Sequence, residues 1–207
     1  MSNAEIFRNS HTLSPTSRGI HHLALNTDDM KMTIDFYHKV LGMPIVHALR
    51  VPPGVGVGPG NRGNPPYENL RHYFFDLGGD TLLAFFELPK GAKQRGDRNA
   101  LGAMQHCAFT LHEDRFIDVI QRLERAGIPV IGPIDGGAGT QSIYFQDPND
   151  IRLEFITQWG DGDDMRVLER WTQTQDDLLT ELRSVSNDEQ WLASVTSHLS
   201  HASTATS

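Results

Sequence analysis

The stretch GIHHLALNTDDMKMTIDFYHKVLGM, residues 19–43, decides the fold. Its first eight residues, Gly19 to Asn26, alternate in type and are bounded by Gly and Asp, the pattern of a strand. Asp28 or Asp29 is placed to cap a helix. Ile34, Tyr37 and Leu41 then recur at helical spacing, with Phe36 and Val40 beside them, and Gly42 supplies the left-handed residue that ends a helix. Working outward, Met43 to Val51 reads as a second strand. Arg71 to Leu77 and Thr81 to Leu88 follow as two more, joined by Gly78-Gly79-Asp80, a hairpin signal. Between them, residues 52–69 set Pro52, Pro53, Pro59, Pro65 and Pro66 among Gly54, Gly56, Gly58, Gly60 and Gly63. No regular ladder accommodates that mixture. A loop of this length inside a domain is expected to be a lid or binding loop.

The order then repeats. After a polar, basic linker from Lys90 to Gly102, Ala103 to Leu111 reads as a strand and His112 to Ala126 as a helix. That helix has Phe116, Ile120 and Leu123 on one face and ends at Gly127. Ile128 to Ile134 reads as a strand. Gln141 to Gln146 and Ile151 to Phe155 form a hairpin around Asp147-Pro148-Asn149-Asp150. Each unit therefore runs strand, helix, strand, strand, strand. The expectation is an α+β fold of two βαβββ modules, residues 19–89 and 103–157. Residues 158–201 form a helical extension, with Met165, Leu168 and Trp171 as an apolar stripe buried within the chain. Ser186-Asn187-Asp188-Glu189 resembles a capping box opening its last helix. Residues 1–18 read as a loose arm and 202–207 as a disordered tail.

Composition narrows the partners. The 207 residues carry a formal net charge of −8, which disfavours a nucleic-acid partner. No run approaches the length and apolarity of a membrane span, and residues 1–20 lack the pattern of a secretory signal. The single cysteine, Cys107, excludes an intramolecular disulfide and fits a reducing compartment, so a cytoplasmic location is expected. Cys107 itself reads as a small core hydrophobe.

Strand parity selects the chemistry. Side chains alternate across a strand. His22 therefore shares a face with Ile20 and Ala24, His106 with Ala108, and Glu154 with Arg152. Leu23, Cys107, Leu153 and Phe155 take the opposite faces. If the apolar faces pack against helices, His22, His106 and Glu154 look into a cavity. Burying a carboxylate among imidazoles is costly without a partner, and a divalent cation is the simplest one. A lone histidine is more often a surface or core residue than a ligand. The argument rests on equivalent histidines opening both modules and a glutamate closing the second.

GIHHLAL with DFYHKVLGM resembles the first unit of the vicinal oxygen chelate superfamily, and MQHCAFTL with YFQDPNDIRLEF resembles its second. That superfamily includes glyoxalase I, type I extradiol dioxygenases, fosfomycin-resistance proteins and bleomycin-resistance proteins. The resemblance covers about residues 19–157. It implies curved mixed sheets around one divalent ion (Ni, Co, Zn, Mn or Fe(II)) held by His22, His106 and Glu154. It also implies a homodimer, since units from two chains pair in this superfamily. In glyoxalase I the last strand of the first unit carries a ligand glutamate, which corresponds to Glu87 in LLAFFELPKG. Glu87 and Glu154 would then be candidates to move a proton, and Tyr144, ten residues before Glu154, corresponds to an active-site tyrosine of extradiol dioxygenases.

The substrate expected is a small molecule chelating the metal through adjacent oxygens. Asn26, Arg62 and His72 are candidate substrate contacts. Asn26 stands where glyoxalase I carries a glutathione-binding arginine, so glutathione is not implied. His72 is the only histidine near the position of the extradiol acid–base residue. Arg62 and the linker cations Lys90, Lys93, Arg95 and Arg98 either meet an anionic substrate or, more plainly, belong to solvated loops. The favoured activity is glyoxalase-like isomerase or lyase chemistry. Fe(II)-dependent extradiol dioxygenation is the first alternative and metal-free ligand sequestration the second. Loss of Glu87 as a ligand would move the balance toward oxygen chemistry, because two histidines and one carboxylate form the facial triad of non-haem iron oxygenases.

Overall fold

The computed structural model describes residues 17, 19–54, 69–91, 96–137, 139–160, 167 and 171–199. Arg62, most of the Pro/Gly loop, Lys93, Arg95, Met165, Leu168, nearly all of the expected arm and the whole expected tail lie outside them. The chain divides into two units, residues 19–165 and residues 166–207 together with 1–18.

In the first unit, β1 (His22–Thr27) leads into α1 (Met30–Ile34), capped by Asp29, whose carboxylate accepts from the Met32 N–H at 3.0 Å. The helix then widens into a π-helical stretch (Asp35–Val40), where the Leu41 N–H reaches back five residues to the Phe36 carbonyl. Gly42, at φ +79°, closes it. Then come β2 (Ile45–Arg50), β3 (Arg71–Gly78) and β4 (Thr81–Glu87). The strand order is β1-β4-β3-β2, with β1 parallel to β4 and the rest antiparallel. A parallel pair needs a crossover, which α1 supplies.

The second module repeats this plan with β5 (Cys107–Thr110), α2 (Glu113–Arg125), β6 (Ile131–Gly137), β7 (Thr140–Gln146) and β8 (Arg152–Gln158) in the order β5-β8-β7-β6. Two expected bounds move. β5 is shorter than Ala103–Leu111, which leaves His106 one residue ahead of its ladder. β6 starts at Ile131 rather than Ile128, because the Ile128 N–H is used to close α2 on the Leu123 carbonyl, with Gly127 left-handed at φ +73°. This is a Schellman closure of the helix end.

Both sheets turn one face to a shared core. Tyr37, Phe75, Leu83 and Phe85 from the first module join Phe116, Leu123, Ile143 and Leu153 from the second in one fully buried cluster. Each such side chain contributes about 1.5–3 kcal/mol of burial. The turn between β7 and β8 locks the modules together. The Tyr37 hydroxyl donates to the buried Asp147 carboxylate at 3.0 Å, and the Thr27 hydroxyl donates to Asn149 Oδ1 at 2.8 Å. Asp147 also accepts the N–H groups of Asn149 and Ile151 at 2.8 Å each.

The other unit contains two helices, α3 (Gln175–Leu182) and α4 (Glu189–Thr196). Thr174 caps α3. Asp188 caps α4 by accepting from Gln190 and Trp191, so the helix begins two residues later than the capping-box pattern places it; Ser186 instead accepts the Asp188 N–H at 3.1 Å. Arg183 pairs with Glu189 across the turn, and Gln175 reaches Thr196 at 3.4 Å, which sets the helices side by side and antiparallel. Trp171, expected inside, is 60% exposed.

Candidate metal centre

The ladders decide which side chains share the outward face of each sheet. In the first sheet His22 lies opposite Leu82, Ala24 opposite Ala84 and Asn26 opposite Phe86. Phe86 is opposite His72, and Phe74 is opposite both Ala84 and His47. His22, His47 and His72 therefore cluster on one face around Phe74 and Phe86. The His72 ring stacks on Phe86 with centroids 3.7 Å apart and lies 6.4 Å from the His22 ring. Its Nε2 is buried and has no hydrogen-bond partner. Burial, with His22 and His47 close by, holds His72 down to about 4, so the ring is neutral at pH 7.

Glu87 does not join this face. In β4 it follows Phe86 and shares the helix side with Leu83 and Phe85, opposite Thr27. There its carboxylate accepts the Met30 N–H at 2.8 Å and pairs with Arg71. The register thus sets Glu87, expected as a fourth ligand and proton carrier, on the face opposite His22. One residue of parity turns the side chain through the sheet. Glu87 serves the start of α1, where backbone N–H groups await an acceptor. Glu87→Gln is accordingly expected to leave bound metal unchanged within about twofold while weakening the Arg71 contact; elemental analysis of the purified variant checks it.

In the second sheet Glu154 lies opposite Ala108 on one side and Tyr144 on the other. It is 6% exposed, although it looks away from the core. His106 Nε2 stands 3.0 Å from Glu154 Oε2, and the Tyr144 ring meets the His106 ring edge-on at 5.9 Å. Tyr144 also hydrogen-bonds Glu154. Burial first, then that hydrogen bond and the carboxylate's charge, raise its phenol above the usual range, so the O–H stays protonated and donates. His106 Nδ1 contacts Gln105 Oε1. His106 Nε2 and Glu154 Oε2 thus converge at 3.0 Å as an imidazole–carboxylate donor pair. That donor chemistry fits a divalent ion.

The parity expected for His22 and Glu154 agrees with the ladders, as does the inward placement of Cys107, whose half-buried thiol is pushed up by burial; His106 lies just ahead of its ladder and meets Glu154 there. Among the described residues, no group of three or more His, Cys, Asp or Glu is positioned to hold a metal. His106 meets Glu154 beside the second sheet, and His22 stands on the first. His21, a bystander by its opposite parity, places its Nδ1 2.8 Å from His22 Nδ1 and so steadies that ring. Alternation along the strand does not reveal this contact, because parity does not report on the residue just before a strand, where the backbone turns. Asn26 lies on the outward face of the first sheet, at the rim of a cavity of about 470 Å³.

Two βαβββ modules, each with a four-stranded mixed sheet, define the class of fold. The chain belongs to the Glyoxalase/Bleomycin resistance protein/Dioxygenase superfamily, whose family profile matches residues 19–155. Among solved structures it is similar to a glyoxylase/bleomycin resistance protein/dioxygenase domain from Frankia sp. EAN1pec, with 19% identity, 69% of this chain and 99% of that one covered, and a TM-score of 0.54. A glyoxalase/dioxygenase from Nostoc punctiforme is similar at 23% identity, 72% and 98% coverage and a TM-score of 0.52. The fosfomycin resistance protein FosX from Listeria monocytogenes, in a complex with Mn(II) and 1S,2S-dihydroxypropylphosphonic acid, matches at 17% identity, 68% and 92% coverage and a TM-score of 0.47. Among the described residues, no helix is long and apolar enough to cross a membrane.

Proposed function

We propose that this chain is a metal-dependent enzyme acting on a small molecule through adjacent oxygens, and that its chemistry is extradiol-type dioxygenation with Fe(II) as the metal. The ligands would be His22, His106 and Glu154, with His22 supplied by a second copy of the chain in a homodimer. One observation carries the reading: the register of β4 turns Glu87 to the helix side and leaves a donor set of two imidazoles and one carboxylate. Three protein ligands would leave open positions for a chelating dihydroxy substrate and for dioxygen. When bound, the metal would supply a site where both reactants are held together.

The chain's own residues then have separate tasks. Tyr144, protonated, donates its O–H to Glu154 and so orients that carboxylate. His72, neutral and stacked on Phe86, lies 6.4 Å from the His22 ring and borders the approach to that side. Phe74 and Phe86 line that approach and exclude water. The test is anaerobic reconstitution with Fe(II), followed by oxygen-electrode measurements with catechol and ring-substituted catechols. Stoichiometric oxygen uptake with a yellow ring-fission product is the expected result. No uptake, together with tight Ni(II) or Zn(II) binding and proton exchange at the carbon beside a carbonyl, would return the isomerase or lyase reading. Failure to take up any metal would favour ligand sequestration.

A further inference from the structure

The two histidines proposed as ligands are gripped in the same way, although different residue types supply the grip. In the first module the His22 ring meets Phe74 of β3 edge-on, with centroids 5.8 Å apart. In the second the His106 ring meets Tyr144 of β7 edge-on at 5.9 Å. β3 and β7 occupy equivalent places in their sheets. A second restraint comes in both modules from the preceding residue. His21 sets its Nδ1 2.8 Å from His22 Nδ1, and Gln105 sets its Oε1 against His106 Nδ1. Nδ1 is therefore the engaged nitrogen of both rings, and Nε2 is the one left for a metal. For His106 that nitrogen already stands 3.0 Å from Glu154 Oε2.

An imidazole that binds a metal through Nε2 carries its hydrogen on Nδ1, and that N–H needs an acceptor. His21 Nδ1 and Gln105 Oε1 stand where the acceptors are needed. We infer that His21 and Gln105 are a matched pair of positioning residues, each holding the ring of the histidine that follows it and committing that histidine to bind through Nε2. Both side chains are exposed, and both residues lie ahead of their strands, outside the ladders of β1 and β5. Core packing and strand pairing therefore do not account for a contact that recurs in both modules. This inference rests on the reading of His22 and His106 as metal ligands, and extends it by naming what aims their rings.

The test is made on the full chain loaded with Co(II), which shifts the proton NMR signals of the rings it binds and reports binding without turnover. In water the wild type is expected to show two shifted, exchangeable ring N–H signals, one from each histidine, that vanish in heavy water. His21→Ala should remove one of them through faster exchange with solvent and lower Co(II) affinity about 10–100-fold. Gln105→Ala should do the same to the other. His21→Asn and Gln105→Glu keep an acceptor oxygen and should restore the signal and most of the affinity. Urea midpoints should be unchanged in all four variants, since the truncated side chains are exposed. Unchanged affinity with both signals intact in His21→Ala and Gln105→Ala overturns the assignment while the ligands stand. A response in one variant alone overturns the pairing, and a loss that the acceptor-bearing variants do not rescue overturns the acceptor role. Absence of Co(II) uptake by the wild type overturns the metal reading as well.

Discussion

His106→Ala is expected to lower the affinity for a divalent ion on the order of 100-fold or more, since even residues one step removed from a metal change affinity by about 10–100-fold. Cys107→Ser, one residue along, should leave metal affinity unchanged and lower stability instead, because Cys107 packs with the core and a hydroxyl in place of its thiol would find no partner there. The contrast turns on strand parity alone. The same pair of sites can reveal where the third ligand comes from. His22→Ala and His106→Ala would each abolish binding when pure. In a mixed dimer of the two, one site loses both histidines and the other regains a full set. Equilibrating the variants at equal concentration should then restore roughly a quarter of the wild-type sites, because half of the dimers are mixed and each has one good site. Metal bound per chain, measured after desalting, is the readout. Zero recovery from a well-mixed dimer would place all ligands in one chain. Equal metal loss in Cys107→Ser would remove the parity argument.

The βαβββ repeat is legible in the sequence because each element carries its own local signal. Asp29 and Gly42 bound the first helix, Gly78-Gly79 turns the first hairpin and Asp147-Pro148-Asn149-Asp150 turns the second. The faces of His22, His106 and Glu154 also follow from alternation, since each sits in or beside a short strand with apolar neighbours on the other side. Glu87 is misplaced by sequence for a physical reason. Resemblance carries it onto a ligand position by separation along the chain, but a strand's facing is set by register, and β4 ends with Phe86 outward and Glu87 toward α1. The pairing of Thr27 with Glu87, and of the Met30 N–H with its carboxylate 57 residues away, depends on contacts distant in the chain, which no local pattern encodes. The π-helical widening after Ile34 is similarly silent, because its apolar spacing is that of an ordinary helix. Arg152 is only a parity marker for Glu154 in the sequence; its guanidinium lying over the Tyr144 ring is a tertiary fact.

Asp147→Ala is expected to cost about 3–5 kcal/mol of stability, the range of a buried hydrogen-bond network losing its central acceptor. The carboxylate is 4% exposed and receives the Tyr37 hydroxyl, the Asn149 side-chain N–H at 3.0 Å, and two backbone N–H groups. Its removal strands all of these donors in the joint between the modules, where water cannot replace it. Asp147→Asn keeps one acceptor oxygen for the backbone pair and should cost less than about 1.5 kcal/mol. Urea titrations should show a lower midpoint with an unchanged slope for the alanine variant. Acidity separates the effect of shape from that of charge. Burial raises the Asp147 carboxyl above the usual 3.8 despite the donors around it. In the window between 3.8 and the raised value, the folded chain therefore holds a proton that the unfolded chain has released. Stability from this group is then lost as the pH climbs through that window. Asparagine has no proton to lose, so the stability difference between the wild type and Asp147→Asn should narrow as the pH rises from below 3.8, whereas a difference that widens with pH would mean that the donors outweigh burial at this joint.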